Sequence, residues 1–381
     1  MADLAYGSAS LADLLPSVLS SLGVAGEPAP LQLAPTGRAV VLLVDGLGLG
    51  LLQRHADAAP FLSSLAARPL TSGFPSTTVT SLSSFGTGLP PGEHGLTGYT
   101  SWAQEVEQVV GWLTWTPAGG GDDLRGELVP EDVQPLETAF ERASRAGVEV
   151  TIAAPARFEG SGLTRAVLRG GHFRGAVTAA DAIAHAVAGS RLGDRSLVYC
   201  YTPDLDTTGH VRGVDSDAWR IALALVDRYA EELAARLPRG TVLHVTADHG
   251  MVDVGEDDKL DLDARPELMA GVRAVAGEPR ARHVHAVPGA ERDVLAAWRE
   301  SLGDVVQVLS RAQVVRAGLL GPVVTPQALS RTGDVVAIST GALSLVQRER
   351  DPFFSALIGQ HGALTDDEVL VPLLSTGPAA L

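Results

Sequence analysis

Nearly continuous apolar runs alternate along this chain with stretches in which apolar residues recur every three or four positions. GRAVVLLV (Gly37 to Val44), VEVTIAA (148 to 154), SLVYCY (196 to 201) and TVLHVT (241 to 246) are of the first kind. Runs of that length bounded by turn residues read as strands covered on both faces. Helical periodicity predicts a helix over 9–22 interrupted by Pro16, and a second after Asp45-Gly46 with Leu51, Leu52, Phe61, Leu62 and Leu65 on its apolar face. Further helices are expected near 131–146, 177–191 and 216–236. A short strand is expected at 69–73. The hydroxyl residues Ser76, Thr77 and Thr78 then precede an apolar-periodic run, which is a helix-start signal, and Gly86 and Gly88 end that helix. Strands alternating with helices at this spacing predict an α/β fold: an open, mostly parallel sheet with helices on both faces.

After Asp263 the pattern changes. Prolines at 266, 279, 288, 322 and 326 are interspersed with many arginines. A strand-like RHVHAV, a helix over 290–302, a strand over 304–309 and a helix over 311–319 follow. These predict a small α+β insertion, or cap, over 264–335, with 1–263 and 336–381 forming the α/β core. Strand character resumes from Val335 to Gln347.

Composition narrows the class. The chain has 381 residues, of which 45% are hydrophobic and 19% charged, enough to bury a sizeable core. No apolar run approaches the roughly 18 residues that span a bilayer. The amino-terminal MADLAYGSASLADLL has no basic residue before Arg38 and so lacks the charged region of a signal peptide, which leads us to expect a cytoplasmic protein. A net charge of -16 argues against a nucleic acid duplex as partner. It leaves a small phosphate-containing substrate open, because bound cations dominate the local field of a site. Cys200 is the single cysteine, so an internal disulfide and a cysteine metal cluster are both excluded. Inside its strand it reads as a small buried hydrophobe.

Three of the apolar runs end in acids. Val44 leads into Asp45, Tyr201 leads toward Asp204, Asp206 and His210, and Thr246 leads into Asp248-His249-Gly250. In open parallel sheets ligands bind beyond the carboxyl ends of the strands. Carboxylate and imidazole together suit zinc or manganese. Each pair alone is more often a capping acid beside a surface histidine; their joint placement at strand ends is what points to a metal site. His361, beside Gly362, is a further candidate. His244 reads as a core residue within its strand, His94 as the residue ordering the turn after the 78–88 helix, and His283 with His285 as structural neighbours on one face of a strand. Tyr99, Trp102, Trp112 and Trp115 crowd into one stretch of a chain that is only 5% aromatic. Core packing accounts for such residues, and a substrate wall is the competing reading for Tyr99 and Trp102.

VDGLG at 44–48, FPSTTVTSLSSFGTGLPPGEHG at 74–95, DLDTTGH at 204–210, TADHGM at 246–251 and QHG at 360–362 together resemble the alkaline phosphatase superfamily, in particular its nucleotide pyrophosphatase/phosphodiesterase branch. The resemblance implies a three-layer sandwich and two divalent metal ions, zinc foremost and manganese as the other candidate. One ion would be held by Asp206, His210 and His361, and the other by Asp45, Asp248, His249 and the oxygen of a nucleophilic threonine. Counting back from GTGLPPGEHG places that nucleophile on Thr78, with Thr77 as the replacement and Ser76 and Thr80 close by. The chemistry is coherent, since a hydroxyl becomes a competent nucleophile when a cation lowers its pKa. The implied activity is hydrolysis of phosphodiesters or pyrophosphates through a phosphothreonine. One departure is Tyr99, which stands where that branch places an asparagine, so substrate does not transfer with the fold.

Phosphonate hydrolysis and phosphomonoester hydrolysis would use the same site. A sulfatase is disfavoured, since Cys200 is followed by YTPDL, and so is a phosphoglycerate mutase, since Lys259 is the single lysine. A non-catalytic phosphate sensor fits poorly with seven competent ligand positions.

Overall fold

The computed structural model describes residues 4–376. Its principal sheet has seven strands in the order Ala67–Thr71, Leu370–Ser375, Thr241–Thr246, Arg38–Val44, Ser196–Thr202, Glu149–Pro155 and His172–Ala176. All neighbours pair in parallel except Leu370–Ser375, which runs antiparallel to both of its partners. Arg38–Val44 lies in the middle, and its apolar residues are fully buried because both faces of the sheet are covered. Ala179–Gly189 and Asp217–Arg236 pack together as one helical layer, while Leu14–Ser21, Thr78–Thr87 and Ala139–Arg145 pack with one another as the other. The result is the three-layer sandwich that the alternating pattern implies.

Several elements differ in detail from the periodicity. The expected 131–146 helix is a single turn, Pro130–Val133, followed by Ala139–Arg145. Pro135 lacks a backbone donor, and Thr138 and Glu141 form a capping box that starts a new helix after it. The helix expected after Asp45 is likewise two short ones, Leu49–Arg54 and Pro60–Ser64. The aromatic stretch forms a three-stranded antiparallel sheet of Thr100–Ala103, Gln108–Gly111 and Thr116–Pro117. His172–Ala176, an edge strand of mixed polarity, gave no apolar run to announce it.

A second sheet of four antiparallel strands runs in the order Val272–Glu278, Ala281–Ala286, Val335–Ser339 and Val306–Ser310. It closes over its own core, which includes Leu268, Val294 and Trp298. Val335–Ser339 therefore does not return to the large sheet at 336 as the composition suggested. It pairs inside the small one, and Ser344–Val346 pairs with Lys259–Asp261 beside it. An apolar run says that a strand forms, not which sheet receives it.

The two sheets are tied by a fully buried ion pair. The Arg280 Nε and Nη2 groups donate to Glu368 Oε1 and Oε2 at 2.6 and 2.9 Å. Glu368 also accepts from the Ala363 amide and the Thr365 hydroxyl, and Arg280 also donates to the Leu343 and Gly341 carbonyls. Removing one member strands the other charge in the core. Glu368→Ala is accordingly expected to lower stability by about 3–5 kcal/mol, whereas the paired change Arg280→Met with Glu368→Leu should cost less. Urea denaturation measures both, and equal losses for the single and paired variants would contradict the assignment.

Candidate metal centre and nucleophile

Register brings the acids together. Val44 lies beside Thr202, and Leu43 beside Thr246, so the residues that follow all three strands emerge at one edge of the sheet. The Asp45 amide extends the ladder by donating to the Thr202 carbonyl. The chain then turns at Gly46, where φ is 75° and a Cβ would press on Asp206 at 3.0 Å. Gly250 is required for a different reason: a Cβ there would stand 2.0 Å from the Asp367 carbonyl.

DLDTTGH follows the end of the strand Ser196–Thr202 but is not a loop. It is the helix Asp204–Arg212, so a spacing of four puts Asp206 and His210 on one face, with His210 Nε2 3.4 Å from Asp206 Oδ2. His249 Nε2 stands 3.4 Å from Asp45 Oδ1, 3.5 Å from Asp248 Oδ2 and 3.2 Å from the Thr78 hydroxyl. The His249 and His361 rings stack with centroids 3.6 Å apart, and His210 lies 5.1 Å from His361.

The three histidines share a tautomer for a physical reason. Their Nδ1 atoms face carbonyl oxygens: Gly359 at 2.7 Å for His210, Gly250 at 2.9 Å for His249 and Ser76 at 2.8 Å for His361. A carbonyl can only accept, so each Nδ1 carries the proton and each Nε2 keeps a lone pair for the centre. Thr78 therefore donates its proton toward His249 Nε2.

The carboxylates show the complementary deficit. Asp45 Oδ2 accepts from the Tyr201 hydroxyl, and Asp248 Oδ1 accepts from the Gly46 and His249 amides. Asp45 Oδ1, Asp206 Oδ1 and Asp248 Oδ2 are buried without a partner. Burial, reinforced by Asp248 and Asp206, holds the Asp45 carboxyl well above the usual range, and burial also raises Asp206. Burial, with His249 and His210 beside it, holds His361 well below the usual imidazole range. Bare oxygens and bare imidazole nitrogens around one point form a donor set that could hold a divalent metal ion. Among the described residues two groups meet metal-ligand spacing: Asp45 with Asp248 and His249, and Asp206 with His249 and His361. His210 lies within reach of Asp206 but outside both groups.

Thr78 is the first residue of the helix Thr78–Thr87, and the side chain of Thr77 makes no capping bond there. The first-turn amides are thus free of a side-chain cap, an arrangement that favours an anion at the helix start. A cavity of about 310 Å³ opens beside Thr78. Away from Asp45, Asp206, His210 and His361 its walls are mostly apolar, including Leu82, Leu163, Phe158 and Phe354.

Tyr99 lines this cavity, packs on Phe354 at 4.7 Å between centroids and donates its backbone amide to Glu278 Oε2. Trp102 does not line it. It faces a neighbouring cleft, with the Arg273 guanidinium 5.6 Å from its ring. Trp112 and Trp115 are core residues in edge-to-face contact. Sequence reasoning passed over Tyr201, Glu278 and the Phe353-Phe354 pair, and no local pattern distinguishes them. Cys200 and His244 are buried as expected, and His283 and His285 are buried side by side in the smaller sheet.

Sheet order, helical layers and strand-end acids match the alkaline phosphatase-like three-layer α/β fold. Residues 39–364 match the family described as type I phosphodiesterase / nucleotide pyrophosphatase, and the chain belongs to that family. Membership supports hydrolysis of phosphoric esters. Similar solved structures include human ectonucleotide pyrophosphatase / phosphodiesterase 5, with a TM-score of 0.70, 18% identity, and coverage of 90% of this chain and 88% of that one. An inactive variant of the murine protein, with a threonine replaced by alanine and in complex with AMP, scores 0.70 at 17% identity, with the same 90% and 88% coverage. Phosphonoacetate hydrolase from Sinorhizobium meliloti 1021, in complex with phosphonoacetate, scores 0.66 at 20% identity, covering 90% of each chain. No curated protein matches the chain in sequence. No described helix is long and apolar enough to cross a membrane.

His94 anchors the turn behind the helix Thr78–Thr87. Its Nδ1 accepts from the Leu96 amide, so its Nε2 donates to Ser84 at 3.0 Å. Burial, with Arg331 nearby, pushes its pKa down to about 3. Folded His94 stays neutral, while an unfolded histidine takes a proton below about pH 6.5. Its contribution is therefore complete above that pH and is lost as pH falls toward 3. Urea titrations at pH 7 and pH 5 should show a smaller acid-side loss of stability in His94→Gln than in the wild type; identical losses would refute this.

Proposed function

We propose that the protein is a two-metal-dependent hydrolase of phosphodiesters or pyrophosphates that acts through a phosphothreonine on Thr78. The observation that carries the reading is the Thr78 hydroxyl, placed at a helix start and hydrogen bonded to His249 amid carboxylate oxygens that lack partners. Asp45, Asp248, His249 and Thr78 would hold one ion, and Asp206, His210 and His361 the other. Zinc is the first choice and manganese the second, on the mixed nitrogen and oxygen donor set. Bound there, divalent cations lower the pKa of a coordinated hydroxyl and offset charge on the attacking and leaving oxygens.

The chain's own residues supply the rest. Thr78 Oγ is held by its helix so that it can attack phosphorus, forming an oxygen–phosphorus bond as the bond to the leaving alcohol or phosphate breaks. The helix's first-turn amides offer donors to the phosphoryl oxygens. Water then attacks the phosphothreonine, releasing the phosphoryl product and restoring the hydroxyl. The inactive threonine-to-alanine variant among the similar structures supports a threonine in this role. The apolar walls beside Thr78 suit an organic group on the phosphate, which favours a diester over a monoester. Phosphonate hydrolysis is the second reading, supported by the similarity to phosphonoacetate hydrolase.

Thr78→Ala is expected to lower turnover of bis-p-nitrophenyl phosphate by about a thousandfold or more while leaving metal content unchanged. Surviving activity would move the nucleophile to a neighbour such as Thr77. His361→Ala should reduce bound metal by one ion per chain, measured by elemental analysis. Chelation should abolish turnover and zinc or manganese restore it; turnover that persists in metal-free protein would end the two-ion reading.

A further inference from the structure

A second cleft, of about 620 Å³, adjoins the catalytic cavity. The two share Tyr99, Phe353 and Phe354 as a common wall. The cleft lies between the sheet of Thr100–Pro117 and the strand Val272–Glu278 of the smaller sheet. Nothing in the hydrolysis of the ester itself requires it.

Two residues of its lining carry buried donors that no described residue accepts. Arg282 is 3% exposed and lines the cleft. Its Nε donates to the Leu345 carbonyl at 2.8 Å, but its Nη2 has no partner. Gln347, 4% exposed, also lines the cleft and leaves its Nε2 without an acceptor. A buried guanidinium group with an unmet N–H is costly, and an acceptor supplied by a ligand would relieve it. Arg273 and Arg350 add two further guanidinium groups to the lining.

The acids nearby do not fill this need. Asp351 Oδ1 is engaged by the Phe354 amide, which it caps. Glu278 accepts from Tyr99, and burial pushes its carboxyl up to about 8, so that it tends toward the neutral form. Asp263 is drawn toward Arg350 at 3.7 Å. Glu107 lies at the exposed edge. Arg282 feels Asp351, Glu278 and Asp263 electrostatically, yet no oxygen of theirs takes its Nη2 proton.

We propose that this cleft is a second anion-binding subsite, in which Arg282 and Gln347 receive a carboxylate or phosphate carried by the same substrate whose phosphoryl group sits at Thr78. The inference rests on the phosphoester-hydrolase reading and narrows its substrate class to esters with a second anionic group. The organic segment between the two anions would pass the wall of Tyr99, Phe353 and Phe354. Arg282 supplies the charge, Gln347 a neutral donor, and the rim arginines the attraction that draws the group in.

Isothermal titration calorimetry on the metal-loaded Thr78→Ala protein tests binding alone, since that variant is expected to hold metal without turning a phosphonate over. Straight-chain alkylphosphonates are compared with ω-carboxyalkylphosphonates of matched length, over a series of lengths. At one chain length the carboxylate should tighten binding by about tenfold, as expected for a charge-assisted bond to a buried guanidinium. Gln347→Leu and Arg282→Lys should each shrink that ratio, and Gln347→Leu keeps the test meaningful if the arginine variant does not fold. A ratio near one at every length, or one that survives in both variants, overturns the subsite. So does a free carboxylate, hexanoate, that binds as tightly as the tethered one, since that marks a separate effector site. If neither phosphonate series binds, the phosphate site itself fails and the subsite falls with it. Turnover of bis-p-nitrophenyl phosphate by the wild type identifies that case separately.

Discussion

Three carboxylates buried at one edge of a parallel sheet are the constraint that the rest of this protein answers to. Asp45, Asp206 and Asp248 each keep an oxygen that no donor in the described chain satisfies. In a low-dielectric interior such groups repel one another and take up protons unless cations join them. The surrounding structure makes sense as the means of holding them there. Glycines at 46 and 250 let backbone and acids approach closely, the tyrosine at 201 occupies one oxygen of Asp45, and three backbone carbonyls hold the imidazoles with their lone pairs inward.

That arrangement depends on elements far apart in sequence. Ser76, two residues before Thr78, accepts at its carbonyl from His361 and donates its hydroxyl to the Ala363 carbonyl. The segment carrying His361 is anchored in turn by Glu368, whose carboxylate binds Arg280 at the start of a strand in the smaller sheet. The smaller sheet is therefore structurally continuous with the edge that carries His361 through a buried ion pair. Such pairs add little net stability but enforce a specific arrangement when one partner cannot leave the other.

The same smaller sheet shapes what the site meets. Glu278 and Arg282 come from its first two strands, and Tyr99 and Trp102 come from the stretch that packs against it. Tyr99 works as a wall shared by two cavities, packed on Phe354. Membership of the family thus constrains the phosphoryl chemistry more tightly than the organic part of the substrate.

The sequence by itself determined the alternating strands and helices, the acids at three strand ends and the helix that begins at Thr78. Each is encoded locally: a strand by an apolar run, a helix start by hydroxyl residues, a turn by glycine. Tertiary structure alone decided that Val335–Ser339 joins the smaller sheet, that DLDTTGH is helical, and that His249 stands between the acid of one strand end and the histidine of a distant segment. The partners of a strand, the tautomer of an imidazole and the sharing of a ligand depend on atoms brought close by the fold, and local sequence carries no record of them. Arg282 and Gln347 mark the limit most clearly, since a buried donor without an acceptor becomes visible only when everything around it is in place.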